Sequence, residues 1–293
     1  MVVMVPRHVS DSDDMDQFAT GLADQAIATT GELPRVLLLH GLFGNRIAWR
    51  GVREQLDGRA RLLAPDLLGY GSAVRPTDHY RLDDVVEHLV PVMERFQPTH
   101  VLGYSMGGIV ALALRARYGD ALAGVGVVGL PVFGDEDEAR AFLRGRGPVV
   151  SALLRNHTVA HVGCTLAKHT HATWRPIAKW WSPVDYEARM VPFLQHCAAS
   201  HDGAMRELIF ANKVPGLAAE QGPPVSALHG TEDKSAPFEH ARQLAERHGW
   251  RFEAVEDANH QVPLRRPEAV AAWMERELLN PGQVDAAVNI RRG

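Results

Sequence analysis

Short apolar runs, each closed by glycine, proline or a polar residue, alternate along most of this chain with longer stretches whose apolar residues recur every three or four positions. Runs of the first kind suit strands buried on both faces of a sheet, and the second kind marks the inward stripe of a helix. The short runs are 35–39 (RVLLL), 61–65 (RLLAP), 99–103, 123–130 (AGVGVVGL), 224–229 (PVSALH) and 250–255. Between them, Trp49, Val52, Arg53 and Leu56 set one helical face that Gly58 stops, and Leu82, Val85, Val86, Leu89, Met93 and Phe96 set a second. Pro91 lies inside that second pattern and predicts a kink or a break, because proline removes a helix donor and crowds the preceding turn. Further helices are predicted over 106–118, over 237–248 with Phe238, Ala241, Leu244 and Ala245 inward, and over 267–279. Such alternation predicts an α/β fold, a mostly parallel sheet with helices on both faces.

The rhythm fails from Pro131 to about Gly222, where an acidic patch at Asp135–Glu138 precedes helix-like stretches rich in His, Trp and Arg. The reading is a core of residues 21–130 and 223–280 interrupted by a helical cap, 131–222, with flexible tails at 1–20 and 281–293. At 293 residues the chain is long enough to bury a large core as one such domain.

Composition narrows the chemistry. With 31 basic against 35 acidic residues and a formal net charge of -4, no electrostatic footprint for nucleic acid or anionic lipid is present. No apolar run approaches the roughly 18 residues that a membrane span needs. The start MVVMVPRHVSDSDDMD lacks the charged, apolar and small-residue regions of an export signal. Cys164 and Cys197 form neither a disulfide framework nor a metal pair of plausible spacing. The expectation is a soluble, cytoplasmic protein that acts on a small molecule, with its oligomeric state open.

In an open α/β sheet the ligand site lies outside the carboxyl ends of the strands, so polar residues that follow apolar runs hold the interest. The loop after 35–39 offers His40-Gly41-Leu42, and the one after 99–103 offers Ser105 within Gly103-Tyr104-Ser105-Met106-Gly107, the pattern G-x-S-x-G. That pattern puts a serine on a sharp strand-to-helix turn with its hydroxyl exposed, as a candidate nucleophile that needs a base and a group to orient the base. The loop after 224–229 offers Asp233 and the one after 250–255 offers His260. Histidine titrates near working pH and suits proton transfer. Glu232 and Asp135 are alternatives to Asp233 as the acid, and His40 reads as a loop-organising residue.

Five motifs together, the H-G-L-F-G loop, A-P-D-L-L-G-Y-G-S, G-Y-S-M-G-G, H-G-T-E-D and D-A-N-H, resemble the α/β-hydrolase fold superfamily and its capped, single-domain bacterial members. The resemblance covers about 30–130 and 222–278 and implies Ser105 as nucleophile, His260 as general base and acid, and Asp233 as the group that orients the imidazole. The backbone N–H groups of Leu42 and Met106 are implied as oxyanion donors, at about 3 to 4 kcal/mol each. No cofactor is implied. Relatives that open epoxides or remove halide carry an aspartate where this chain has Ser105, so acyl chemistry on an ester, lactone or thioester is the implied activity. Cleavage of a C–C bond beside a ketone, cofactor-free haloperoxidase-like chemistry, acyl transfer and lyase chemistry share the machinery, although Tyr104 departs from the G-N-S-M-G-G of aromatic-degrading C–C hydrolases. A ligand receptor that keeps the fold without catalysis is the rival of another class.

Phe43, Tyr104 and Val262, with Trp174, Trp180 and Trp181 from the cap, are candidates to line an apolar substrate pocket; the cap aromatics read equally as cap core. The histidines at 157, 161, 169, 171, 196 and 201 invite a metal reading, yet only His157 and His161 have i, i+4 spacing and no carboxylate stands as a third ligand, so no metal is expected.

Overall fold

The computed structural model describes residues 33–74, 80–144 and 198–280, with isolated positions between 162 and 191. The chain divides into Met1–Leu33 and Pro34–Gly293, and the fold below is that of the second unit. The tails at 1–20 and 281–293 and the middle of the 131–222 segment lie outside the described residues.

Six strands are described: β1 (Arg35–Leu39), β2 (Arg61–Leu63), β3 (His100–Tyr104), β4 (Gly124–Val128), β5 (Val225–Gly230) and β6 (Arg251–Val255). They form one all-parallel sheet in the order β2-β1-β3-β4-β5-β6. The near-continuous apolar character of these strands follows from burial on both faces. In β1, Leu37 and Leu39 enter one core layer with Val101, Val125, Val127 and Val225, while Val36 and Leu38 enter the other with Leu102, Val128 and Leu228.

Helices supply the two outer layers. A 3₁₀ turn, Arg46–Trp49, leads into α1 (Arg50–Gln55), and α2 (Leu82–Phe96) and α3 (Met106–Tyr118) follow. Next come α4 (Glu136–Arg144), α5 (Ala198–Ala204), α6 (Val214–Ala219), α7 (Phe238–Arg247), the single turn α8 (Val262–Arg265) and α9 (Pro267–Met274). Helix α5 runs on as a π-helical turn, Met205–Phe210, and α9 as another, Glu275–Leu279. Trp49, Val52 and Leu56 pack with Val270, Trp273 and Met274 on one face of the sheet, and α2 and α3 cover the other.

Pro91 does not break α2, which runs unbroken from Leu82 to Phe96. It lies on the exposed face, where water can satisfy the carbonyl that loses its helix donor. Buried Leu82, Val85, Val86, Leu89, Met93 and Phe96 form the stripe opposite, so tertiary burial holds the helix together.

Candidate active site

Three loops at the carboxyl ends of β3, β5 and β6 meet at one rim of the sheet. Between β3 and α3 the chain reverses in one residue: Ser105 has φ 53° and ψ −120°, a conformation that side-chain-bearing residues rarely adopt. Backbone bonds from Ser105 N to the Val128 carbonyl (2.8 Å) and from Gly108 N to the Ser105 carbonyl (2.8 Å) hold the turn. Its tightness explains the flanking glycines, since a Cβ at Gly103 would fall 2.1 Å from the Gly107 carbonyl oxygen and one at Gly107 2.3 Å from that of Leu39.

His260, in the loop after β6, sets Nε2 2.9 Å from the Ser105 hydroxyl and Nδ1 2.6 Å from Oδ2 of Asp233. A carboxylate only accepts, so Nδ1 carries the proton and Nε2 offers its lone pair to the hydroxyl. The imidazole is 17% exposed while the Asp233 side chain is fully buried, so the line runs from the interior to an accessible ring. Oδ1 of Asp233 accepts from the N–H groups of Ser235 (2.7 Å) and Ala236 (2.9 Å). Oδ2 also lies 3.1 Å from Nε2 of His229, a buried residue near the end of β5. Burial alone would raise the Asp233 carboxyl, but hydrogen bonds from His229 and His260 and their charge outweigh it and hold it well below the usual carboxylate range. Asp135 sits elsewhere: its exposed side chain accepts from the N–H of Glu138 at the start of α4. Glu232 is exposed.

The loop after β1 approaches closely enough that a Cβ on Gly41 would meet the Ser105 Cβ at 3.0 Å. His40 fixes this loop, with Nδ1–H donating to the Gly41 carbonyl (2.9 Å) and Nε2 accepting from the N–H of Leu67 (3.0 Å). Complete burial pushes its pKa down despite that carbonyl and the charge of Asp66, which keeps the ring neutral. Asp66 in turn accepts from the backbone and guanidinium of Arg46 and the backbone and hydroxyl of Ser72, which ties the loops after β1 and β2 together. Leu42 follows in the same loop and Met106 opens α3, where the first N–H groups of a helix have no partner within it.

The pocket candidates separate. Phe43, at φ 58°, is half-buried and stacks on His201 of α5 with ring centroids 4.9 Å apart. Tyr104 and Val262 are buried: Tyr104 packs between Trp49 and His260 at 6.5 and 5.2 Å, and Val262 lies in the same core layer as Trp273. Trp180 is 83% exposed. Trp174 and Trp181, with His157, His161, His171 and His196, lie outside the described residues.

Sequence reasoning missed His229. It closes an apolar run and reads as the last strand residue, yet the H-x-x-x-D spacing to Asp233 across a tight turn is the signal that pairs them. Among the described residues no group of three or more His, Cys, Asp or Glu is placed to hold a metal, and no helix is long and apolar enough to cross a membrane. A cavity of about 460 Å³ opens near Arg115, Glu220, Pro224 and Trp250 by the starts of β4, β5 and β6; none of Ser105, Asp233 or His260 lines it.

The arrangement is chemically able to raise a serine hydroxyl to a nucleophile, with the developing imidazolium facing a buried carboxylate. Comparison with known proteins points the same way. The model of the alpha/beta hydrolase family matches residues 36–273. Lipase 3 of Moraxella sp. (strain TA144) is 39% identical over 93 residues, which are 30% of this chain and 29% of the lipase. The pimeloyl-[acyl-carrier protein] methyl ester esterase of Aeromonas salmonicida (strain A449) is 36% identical over 110 residues, 37% of this chain and 42% of the esterase. The matched stretch thus spans less than half the length of these two curated relatives. A solved thermophilic esterase from Thermogutta terrifontis superposes with a TM-score of 0.62 at 26% identity, covering 85% of this chain and 90% of the esterase.

Proposed function

The chain belongs to the alpha/beta hydrolase family, and from that premise we propose that it hydrolyses an ester, lactone or thioester of a small to medium apolar acyl compound through an acyl-enzyme on Ser105. Ser105 Oγ attacks the carbonyl carbon as its proton passes to His260 Nε2, and Asp233 holds the other ring nitrogen and balances the imidazolium. The N–H groups of Leu42 and Met106 stabilise the oxyanion. His260 then returns the proton to the departing alcohol or thiol, and water repeats the attack to free the acid. The observation that carries this reading is the unbroken hydrogen-bonded line from Asp233 through His260 to a serine held at positive φ. The relatives named as esterase and lipase support it.

A fluorophosphonate probe tests it directly. Wild type should label at Ser105 and turn over short and medium p-nitrophenyl esters, and Ser105→Ala should do neither. An unlabelled wild type would mean a receptor with an idle site. Labelling with turnover of a vinylogous diketone but of no ester would move the activity to C–C cleavage.

A further inference from the structure

Asp233 is held by two imidazoles, and the catalytic line uses one. His229 Nε2 lies 3.1 Å from Asp233 Oδ2 and 3.2 Å from the carbonyl oxygen of Ala236. Both atoms are acceptors, so this nitrogen carries a proton; it hydrogen-bonds the Ala236 carbonyl, with the Asp233 carboxylate alongside at ion-pair distance. Ala236 N–H meanwhile donates to the other carboxylate oxygen, so His229 closes the 233–236 turn upon itself. Its ring is fixed edge-on to Phe238 of α7 at 5.8 Å and nearly parallel to Phe252 of β6 at 6.5 Å. With Ser235 N–H and His260 Nδ1–H, Asp233 thus faces four donors on two oxygens, the full capacity of a carboxylate.

We infer that His229 is a positioning residue that acts through Asp233: its N–H aims the carboxylate at His260 and draws charge from the oxygen that both imidazoles share, which sets the basicity of His260. The inference rests on the hydrolase reading for its consequence in turnover, but the coupling itself is a property of the two imidazoles and one carboxylate. Among the described residues the trio meets the following groups, and the phenol ring of Tyr104 lies 5.2 Å from the ring of His260. Asp233 meets His229 from β5 and His260 from the loop after β6; His229 meets Phe238 and Phe252, which carry no charge; and Glu232 and Lys234, the chain neighbours of Asp233, are exposed. Without the His229 donor, the charge of Asp233 falls more fully on His260, and the imidazolium becomes easier to form.

The test compares His229→Phe, which keeps a ring among the aromatics but no donor, with His229→Gln, whose amide nitrogen reaches the place of Nε2. Proton NMR titration of His260 in each protein reads the coupling whether or not the enzyme turns over any ester, and the acid limb of kcat/KM reads its effect on catalysis. In His229→Phe the His260 titration and the acid limb of kcat/KM should both move to higher pH, and kcat should fall about tenfold with KM little changed. His229→Gln should restore most of both. An unchanged His260 titration in His229→Phe, with only a lower melting temperature, would reduce His229 to packing. An equal shift in both variants would show that the donor is irrelevant, and would overturn the inference as well. If the titration shifts as expected while the wild type neither labels nor turns over esters, the coupling stands and the hydrolase reading falls.

Discussion

Asp233 concentrates the site's electrostatics in one buried side chain. Asp233→Asn keeps the shape but turns an acceptor into a donor. When the amide nitrogen faces His260, Nδ1 must give up its proton, Nε2 takes it, and the lone pair that Ser105 needs is gone. The expected result is a fall in kcat of about 10³ to 10⁴-fold with the fold retained, read by ester turnover and circular dichroism. Stability should change with it. The folded carboxyl titrates below its unfolded value near 3.9, so its contribution is complete above that pH and is lost as pH falls through the window beneath it. The melting temperature of Asp233→Asn should therefore drop less between pH 5 and pH 3 than that of wild type. His40 has the same sign at a higher pH: its folded pKa lies below the unfolded value of about 6.5, so stability is complete above 6.5 and is lost on acidification below it. His40→Leu should flatten the melting-temperature slope between pH 7 and pH 5, leaving the part due to His100, which burial also depresses. At pH 7 it should be about 1 to 3 kcal/mol less stable, because the Leu67 N–H is stranded. Ser105, Asp233 and His260 could be singled out in the sequence because each lies in the polar loop that follows an apolar run. His229 belongs to the run itself, and periodicity does not reveal which acid a buried imidazole meets.

At the scale of elements, the strand-to-helix joints set the backbone around Ser105. The turn from β3 to α3 lies against the end of β1, and a Cβ on Gly107 would press on backbone, 2.3 Å from the Leu39 oxygen and 2.6 Å from that of His40. Backbone cannot rotate aside as a side chain does, so Gly107→Ala must part the end of β1 from the start of α3, the segments next to which the proposed oxyanion donors Leu42 and Met106 lie. We expect fluorophosphonate labelling to slow at least about 100-fold, by roughly the 3 to 4 kcal/mol that one such donor supplies, together with poor soluble yield. Gly108→Ala is the matched control, since its Cβ would crowd the end of the Leu130 side chain at 2.9 Å and meet the Gly103 oxygen and Val127 Cβ at ordinary contact distances of 3.5 and 3.7 Å, and alanine favours a helix over glycine by about 1 kcal/mol. It should label at close to the wild-type rate. Periodicity foretold these elements well where one face is apolar, as in α2, and a break at Pro91 does not occur because a local helix breaker on a solvent face is overruled by the buried stripe opposite. Periodicity does not tell how deep a residue beside the site lies, and Tyr104 and Val262 are both buried in one core layer.

Over the whole molecule the chain leaves β4 at Val128 and enters β5 at Val225, so the 96 residues between them must be delivered to the correct neighbour. Sequence pattern marked where the sheet rhythm stops and resumes but not what holds the return, because the clamp is made by one side chain to backbone carbonyls that any sequence would supply. That side chain is Arg115 of α3. It is buried, with Nε 2.8 Å from the Pro223 oxygen, Nη1 2.6 Å from that of Glu220 and Nη2 3.3 Å from that of Gly222. Desolvation lowers its pKa, with the Glu220 charge acting against this, so the guanidinium depends on these carbonyls for its solvation. Arg115→Met fills comparable volume and supplies no donor; it should cost about 3 kcal/mol or more by urea unfolding, as hydrogen bonds to a charged group contribute about 1.5 to 3 kcal/mol each and are not additive. Arg115→Lys, with a compact charge and no fork, should fall between the two. Because Arg115 lies by the starts of the strands and Ser105 at their ends, labelling of the folded fraction at low temperature should match wild type in both variants. A methionine variant as stable as wild type would show that the returning chain is held by the packing of α6 and β5 alone, and a labelling defect in that folded fraction would mean that the two rims of the sheet are coupled.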